Sequence, residues 1–325
     1  MKSTMEHLQQ SSMTENQKMI KLKYHENKNI RIDKYLAMVL TEHHYSRNFI
    51  QNLITNGQVI VNNKTISSAN LLLKNNDEIN IIIKNDKDNT LKATAIDFEI
   101  VYEDNEILVI NKPNNLVVHP GAGNWDNTLV NGLLFQSKIE NIEENNLRPG
   151  IVHRIDKQTT GLLLVAKNKI SHHILAEQLQ KHEIKRIYIA LVHGTIKGRS
   201  GTIKAPIARS NNNRLKMMVN EQNSKKATTH FTVIERFKDY TLVQCQLETG
   251  RTHQIRVHFE WIEHPIVNDP LYSKFKLENA NIGQYLHAKV ITFTHPTTKK
   301  VMTFECNLPD FFENKLQLLR KESVK

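Results

Sequence analysis

The residues best placed to do chemistry lie in one stretch, His153 to Lys167, which reads HRIDKQTTGLLLVAK. Asp156 is the only carboxylate between Glu144 and Glu177, and its neighbours include Arg148, His153, Arg154, Lys157 and Lys167. Metal-assisted phosphodiester cleavage needs two or more converging carboxylates, and glycoside hydrolysis needs a pair with distinct roles. A lone carboxylate kept ionised by a nearby guanidinium suits a nucleophile or a base acting on a polyanion. An arbitrary aspartate more often caps a turn or pairs at the surface for little gain, so the surrounding elements have to decide.

Gly161 to Ala166 is a continuous apolar run bounded by the glycine and by Lys167-Asn168-Lys169, which predicts a short buried strand. Asp156 then sits in a loop anchored by a rigid element, a common setting for catalysis. Lys185 to Gly194 alternates, so Ile187, Ile189 and Leu191 share one face of a strand while Arg186 and Tyr188 share the other. Between these strands a helix is expected from Ser171, its cap, to about His182-Glu183, with Ile174, Leu175 and Leu179 inward. A strand pair, Thr229–Glu235 and Tyr240–Leu247, leads into ETGRTHQIRVH, Glu248 to His258, where Thr252 can cap a helix burying Ile255 and Phe259. Residues 202–227 are polar and basic, with Arg209, Arg214, Lys216, Lys225 and Lys226, and read as an excursion from the sheet facing a polyanion.

HRIDKQTTGLLLVAK resembles the central motif of the RluA/RluD family of pseudouridine synthases, with Ile155 and Gln158 as departures from its pattern. The stretch His119-Pro-Gly-Ala-Gly-Asn is most similar to the RluD branch, although Asn115 and Asn127 stand where relatives often carry glycine. Asparagine tolerates positive φ better than other side chains, so left-handed turns are expected at both. The resemblance implies that Asp156 starts cleavage of the N-glycosidic bond, that Tyr188 stacks on the extruded uracil, and that Arg251 is the basic partner of the aspartate. A pair at ~4 Å and an effective dielectric of ~20 is worth about 4 kcal/mol before desolvation, enough to hold an acid ionised. It further implies base extrusion, with Arg154 filling the vacated space beside His153.

Residues 1–29 are polar and aperiodic and are expected to form a disordered arm. Residues 30–84 then give two short helices and a hairpin. Ile32, Leu36, Val39 and Leu40 mark the first helix, with Asp33 near its start. Ser46 stands as N-cap and Gly57 as exit of the second, and the turns Asn62-Asn63 and Asn75-Asn76-Asp77 separate three strands. This order is similar to the αL, or S4-like, RNA-binding domain, which implies phosphate-facing roles for Arg31, Lys34, Arg47 and Lys64. Residues 85–95 read as a linker and 96–325 as the catalytic domain, whose tail, Asp310 to Lys325, is expected to be a short charged helix.

A net charge of +11 calls for a polyanionic partner. No apolar run approaches a membrane span, and the N-terminus lacks the order of a signal peptide, which favours a cytoplasmic protein. Cys245 and Cys306 are isolated within apolar segments and read as buried thiols. Sixteen histidines show no ligand spacing, so no metal is expected. The expected architecture is α+β: a catalytic domain of mixed, mainly antiparallel sheet with flanking helices, plus the small S4-like domain. The resemblance implies a cofactor-free isomerase, monomeric, acting on large-subunit ribosomal RNA or its precursor particle.

Overall fold

Two sets of apolar residues form separate cores, and the chain divides accordingly into Met1–Thr90 and Leu91–Lys325. The computed structural model describes residues 9–13, 17–26, 28–40, 47–84, 91–121, 124–139, 148–213 and 215–323.

In the first unit, strands β1 (Gln9–Met13), β2 (Gln17–Lys23) and β3 (Ile30–Arg31) precede helices α1 (Ile32–Val39) and α2 (Arg47–Thr55). Strands β4 (Val59–Val61), β5 (Lys64–Ile66), β6 (Leu72–Leu73) and β7 (Glu78–Lys84) follow. An antiparallel sheet runs in the order β1-β2-β7-β4-β5, and β3 pairs with β6. Asn62 and Asn63 both take positive φ, 48° and 64°, which is what a two-residue hairpin turn between β4 and β5 needs. Gly57, at φ 69°, ends α2 as expected.

The expected disordered arm is overturned over Gln17–Lys23, which pairs with β7 along its whole length. Ile20 and Tyr24 are fully buried there. Lysines alternate with the apolar residues of this strand, so its inward face carries too few of them to register as a pattern. Asp33 does not cap α1. Arg31 occupies the cap position, and the buried Asp33 carboxylate accepts two bonds from its guanidinium, at 2.9 and 3.0 Å. The expected cap Ser46 lies outside the described residues, as do 85–90 of the expected linker. The rest of that linker belongs to the second unit: Leu91 packs on its core, and Thr94 and Lys92 bond to Asn131.

The second unit begins with β8 (Glu99–Glu103), β9 (Ile107–Lys112), α3 (Leu129–Phe135), β10 (Thr160–Ala166), α4 (Lys169–Gln180) and β11 (Lys185–His193). It continues with β12 (Ser200–Lys204), β13 (Ile207–Arg209), β14 (Met217–Val219), β15 (Thr228–Arg236), β16 (Tyr240–Leu247) and α5 (Gln254–Trp261). The chain closes with β17 (Leu286–Thr294), β18 (Val301–Glu305) and α6 (Asp310–Ser323). One mixed sheet runs β12-β15-β16-β11-β17-β10-β9-β8, with β18 also on β17, and its one parallel pairing is β10 with β17. Helices cover both faces. Leu108, Ile110, Leu163 and Val165 meet α3 and α5, whereas Ile107, Val109, Leu162 and Leu164 meet α4. This two-sided burial is why β10 is apolar throughout.

Gly161 makes the parallel contact possible. Its φ is 106°, and a Cβ there would lie 2.2 Å from the carbonyl oxygen of Ala288, so no larger residue fits. The glycine that bounds the strand in sequence is thus where β10 touches β17, five residues after Asp156. Asn115 has φ 60°, as expected, but Asn127 does not take a positive value. Asn168, not Ser171, caps α4 by accepting from the Ser171 N–H. The basic excursion is partly ordered: Ile207 of β13, and Ala227 beyond the β13–β14 hairpin, pack with Val257 and Tyr272. Arg214 lies outside the described residues. The charged tail is a docked helix, since α6 buries Phe312, Leu316 and Leu319.

Candidate active site

Asp156 lies in the loop that enters β10, and its neighbours fix that loop from below. The Thr159 N–H donates to the Asp156 carbonyl, and Gln284 donates to the Thr159 hydroxyl at 2.9 Å. Beneath them the fully buried ammonium of Lys112 donates to the carbonyls of Pro113, Leu116 and Lys157 at 2.8 to 3.0 Å. Burial pushes this lysine down to about 7 despite the nearby Asp156 charge. Lys112 therefore serves as a backbone clamp on the loop, a role its position before Pro113 did not advertise.

The Asp156 carboxylate opens on a cleft of about 510 Å³, which is also lined by Arg154, Arg186, Tyr188, Arg251 and His253. The expected partner Arg251 is corrected here. It lines the cleft, but its Nε donates to the Lys226 carbonyl at 3.0 Å. The guanidinium on Asp156 belongs to Arg256, whose Nη1 donates to Oδ2 at 2.9 Å. Arg256 is in turn gripped by the fully buried Asp269 through bonds of 2.7 and 2.9 Å. Asp269 also accepts the backbone N–H groups of Leu271 and Tyr272. Burial acts to raise the Asp156 carboxyl, yet Arg256 and then His253 outweigh it and hold the acid below the usual carboxylate range.

The cause of the correction is local. His253, with φ 57°, is the N-cap of α5, and Thr252 is not. The buried Gln254 side chain organises this entry by accepting from the Arg251 N–H and the Thr249 hydroxyl and donating to Thr228 and Thr229. The helix thus begins late enough to aim Arg256 at the acid. His253 itself stands 3.9 Å from Asp156 Oδ1 through Nε2, while its Nδ1 is 2.8 Å from the Tyr272 hydroxyl. That hydroxyl accepts from Met217 N–H and still has its own proton to give; donated to Nδ1, it sets the tautomer whose ring proton faces Asp156. His258, by contrast, is buried and packs α5 through Thr229 and Ala205.

Tyr188 is buried in β11 between β16 and β17, next to a bulge at Ile187, and reaches the cleft. Burial raises its phenol above the ordinary value. Arg154 is exposed, and its Nη1 lies 2.8 Å from Nε2 of His119. The buried His119, held down to about 4 mainly by burial, presents a lone pair there because its other nitrogen meets the Pro120 carbonyl. His153 lines the cleft with little exposed surface. Its ring is buried, and Nε2 accepts the Leu164 N–H of β10 at 3.1 Å. Of the candidates in the first unit, Lys34 and Lys64 are exposed and Arg31 is engaged by Asp33. The Arg47 side chain lies outside the described residues.

A protein-family model described as RNA pseudouridylate synthase matches residues 106–261, which include this loop, β11 and α5. A Bacillus subtilis protein named as an uncharacterized RNA pseudouridine synthase, YlyB, is 45% identical over 296 residues, covering 91% of this chain and 96% of that protein. A ribosomal large subunit pseudouridine synthase D of Neisseria meningitidis is 39% identical, covering 90% and 79%. Among solved structures, human RNA pseudouridylate synthase domain containing 4 has the same fold, with a TM-score of 0.54 and 25% identity over 68% of this chain and 92% of that one. The chain belongs to the RNA pseudouridylate synthase family and is an isomerase that acts on RNA.

Proposed function

We propose that this enzyme converts uridines of large-subunit ribosomal RNA to pseudouridine, with Asp156 as the group that starts the reaction. The observation that carries the reading is a single carboxylate at the wall of a cleft with room for a nucleotide, kept ionised by Arg256. The reaction is an isomerisation: the bond from the ribose to N1 of uracil breaks, the base turns, and a bond to carbon 5 forms. Composition is unchanged, so no cofactor is required. Tyr188 bounds the cleft with an aromatic plane suited to stacking on a base. A base in folded RNA has to leave its stack to reach Asp156, at a cost of a few kcal/mol, and exposed Arg154, steadied by His119, fills the space it leaves.

Large-subunit RNA as substrate is supported by the name of the Neisseria relative and by the charge of this chain. The first unit acts as an S4-like RNA-binding domain in this reading, with exposed Lys34 and Lys64 facing phosphates, together with Arg31 and Arg47. A cytoplasmic site of action follows from that substrate, and among the described residues no helix is long and apolar enough to cross a membrane.

The test is incubation of purified protein with large-subunit rRNA, followed by carbodiimide treatment and primer extension. Discrete carbodiimide stops with unchanged RNA mass are expected. Asp156→Asn should abolish them, a loss of at least ~10⁴-fold of the order seen for essential catalytic groups, while RNA binding and its salt dependence stay in place. Release of free uracil would instead make the protein a glycosylase, and stops confined to another RNA class would overturn the substrate.

A further inference from the structure

Arg186 lines the cleft, and the preceding reading leaves its chemistry unused. It projects from β11 on the same face as Tyr188 and is only 6% exposed. Among the described residues its guanidinium makes no hydrogen bond and no ion pair, and Nε is sealed from solvent without a partner. A buried cation without a counter-charge is destabilising, and folded proteins keep one where a ligand supplies the missing charge. Among the described residues no side-chain hydrogen bond or ion pair ties Arg186 into the fold.

Two further observations sit beside it. Gly250, at an ordinary φ, leaves the room the guanidinium occupies: a Cβ there would lie 2.9 Å from Arg186 Nη1. His153 lines the same cleft, and because its Nε2 is taken by the Leu164 N–H, the neutral ring carries its proton on Nδ1. Nδ1 is also buried and unpartnered. Burial, reinforced by the nearby Arg186 charge, keeps this ring neutral, with its pKa lowered to about 3. Two residues of different type thus line one cleft, each with a donor that has no partner among the described residues. An anionic oxygen group is what the arrangement lacks, and the polyanion already assigned to this enzyme carries one per nucleotide.

We propose that Arg186, assisted by the Nδ1–H of His153, binds a backbone phosphate of the RNA next to the extruded uridine and so positions the nucleotide over Asp156. The inference rests on the reading of the site as an RNA-modifying cleft. Arg186 is a positioning residue: it touches the strand, and Asp156 touches the reacting sugar or base. Compared with the exposed basic side chains, it is the cation that the target nucleotide meets only after entering the cleft.

Two substitutions in the full chain test it, Arg186→Met, which keeps length and removes charge, and Arg186→Lys, which keeps charge. Without ligand, Arg186→Met should raise the melting temperature, because the penalty of the unpaired cation is gone. Inorganic phosphate should raise the melting temperature of the wild type and of Arg186→Lys but not of Arg186→Met. On large-subunit rRNA, Arg186→Met should weaken binding about 10- to 100-fold. It should also reduce the slope of log K against log salt by about 0.7, the value for one single-strand phosphate, and Arg186→Lys should restore that slope. A lower melting temperature for Arg186→Met with an unchanged slope would make Arg186 a packing residue and overturn the proposal. So would an unchanged slope with a collapsed rate at saturating RNA, which would put Arg186 on the uracil. If Arg186→Met fails to fold, the packing role is established instead. The phosphate arm needs no product, so absence of pseudouridine from the wild type would sink the proposed reaction and leave the Arg186 result standing.

Discussion

Arg256 and Arg186 line one cleft and are equally buried, at 5% and 6% exposure, yet their surroundings are opposite. Arg256 is engaged at every nitrogen: Asp269 takes two of them and Asp156 the third, and the face of Tyr272 lies 5.0 Å from its centre. Arg186 has no acid at all among the described residues. A guanidinium clamped by one carboxylate has a fixed direction, so it can hold a second carboxylate at a set place and charge before any substrate arrives. An unpaired one has its bonding capacity in reserve. The cleft therefore has a finished wall that prepares the acid and an unfinished wall that the RNA completes.

The largest break in this comparison comes from the finished wall. Arg256→Gln leaves the buried Asp269 and the partly exposed Asp156 without the cation they share, which is expected to cost about 3 to 5 kcal/mol of stability. The rate should fall by two or more orders of magnitude. The sign of the pH effect is fixed by the balance at Asp156. In the wild type its lowered pKa contributes stability that is present above the ordinary carboxylate range and is lost only as the pH falls through the lowered folded value. With Arg256 gone, burial acts unopposed and the acid moves up, so the acid limb of the rate profile shifts to higher pH. Single-turnover rates across pH read this directly, and an unmoved limb would show that Arg256 does not set the charge of Asp156.

A smaller and more selective effect is expected on the unfinished wall. Gly250→Ala places a methyl 2.9 Å from Arg186 Nη1 and obliges the guanidinium to shift. Binding to rRNA should weaken about tenfold, as for a partly lost charge-assisted bond, while the rate at saturating RNA stays within a few-fold of the wild type. Equal losses in both would mean that the Gly250 loop serves Asp156 as well. Filter binding and single-turnover kinetics on the same preparation separate the two outcomes.

How much of this was legible in the sequence follows from the range of each signal. The strand after Asp156 and the inward face of β11 are local periodicities, and both form as their residues dictate. The resemblance points to Arg251 as the partner of the acid, whereas the structure gives that place to Arg256, inside a helix whose cap is His253 and not the expected Thr252. Each residue of a helix turns the side-chain direction by about 100°, so a small error in the entry changes which arginine faces the acid. A signal was present: Asp269 is the only carboxylate between Glu263 and Glu278, an isolated acid like Asp156. What the sequence does not carry is that the two acids share one cation, because that contact spans 113 residues and follows no period. The His119–Arg154 bond, the Lys112 clamp and the missing partner of Arg186 are tertiary in the same sense.

The smallest expected effect sharpens the finished wall by asking what lies behind it. Tyr272 touches Asp156 only through intermediaries: its ring lies by Arg256, and its hydroxyl, accepting from Met217 N–H, orients His253. Burial pushes that phenol up to about 12, so it remains a donor over the whole working range. Tyr272→Phe keeps the ring beside Arg256 and removes the hydroxyl alone. The Met217 N–H and His253 Nδ1 each lose a partner, which should cost about 1 to 3 kcal/mol of stability in a thermal or denaturant melt. The acid keeps its main cation, so the acid limb should stay in place, and the rate should fall about 3- to 10-fold as the His253 ring loses its fixed tautomer. A fall of a hundredfold or more with the limb unmoved would make the His253 proton, rather than Arg256, the group that prepares Asp156, and the contrast between the two walls would then turn on a histidine.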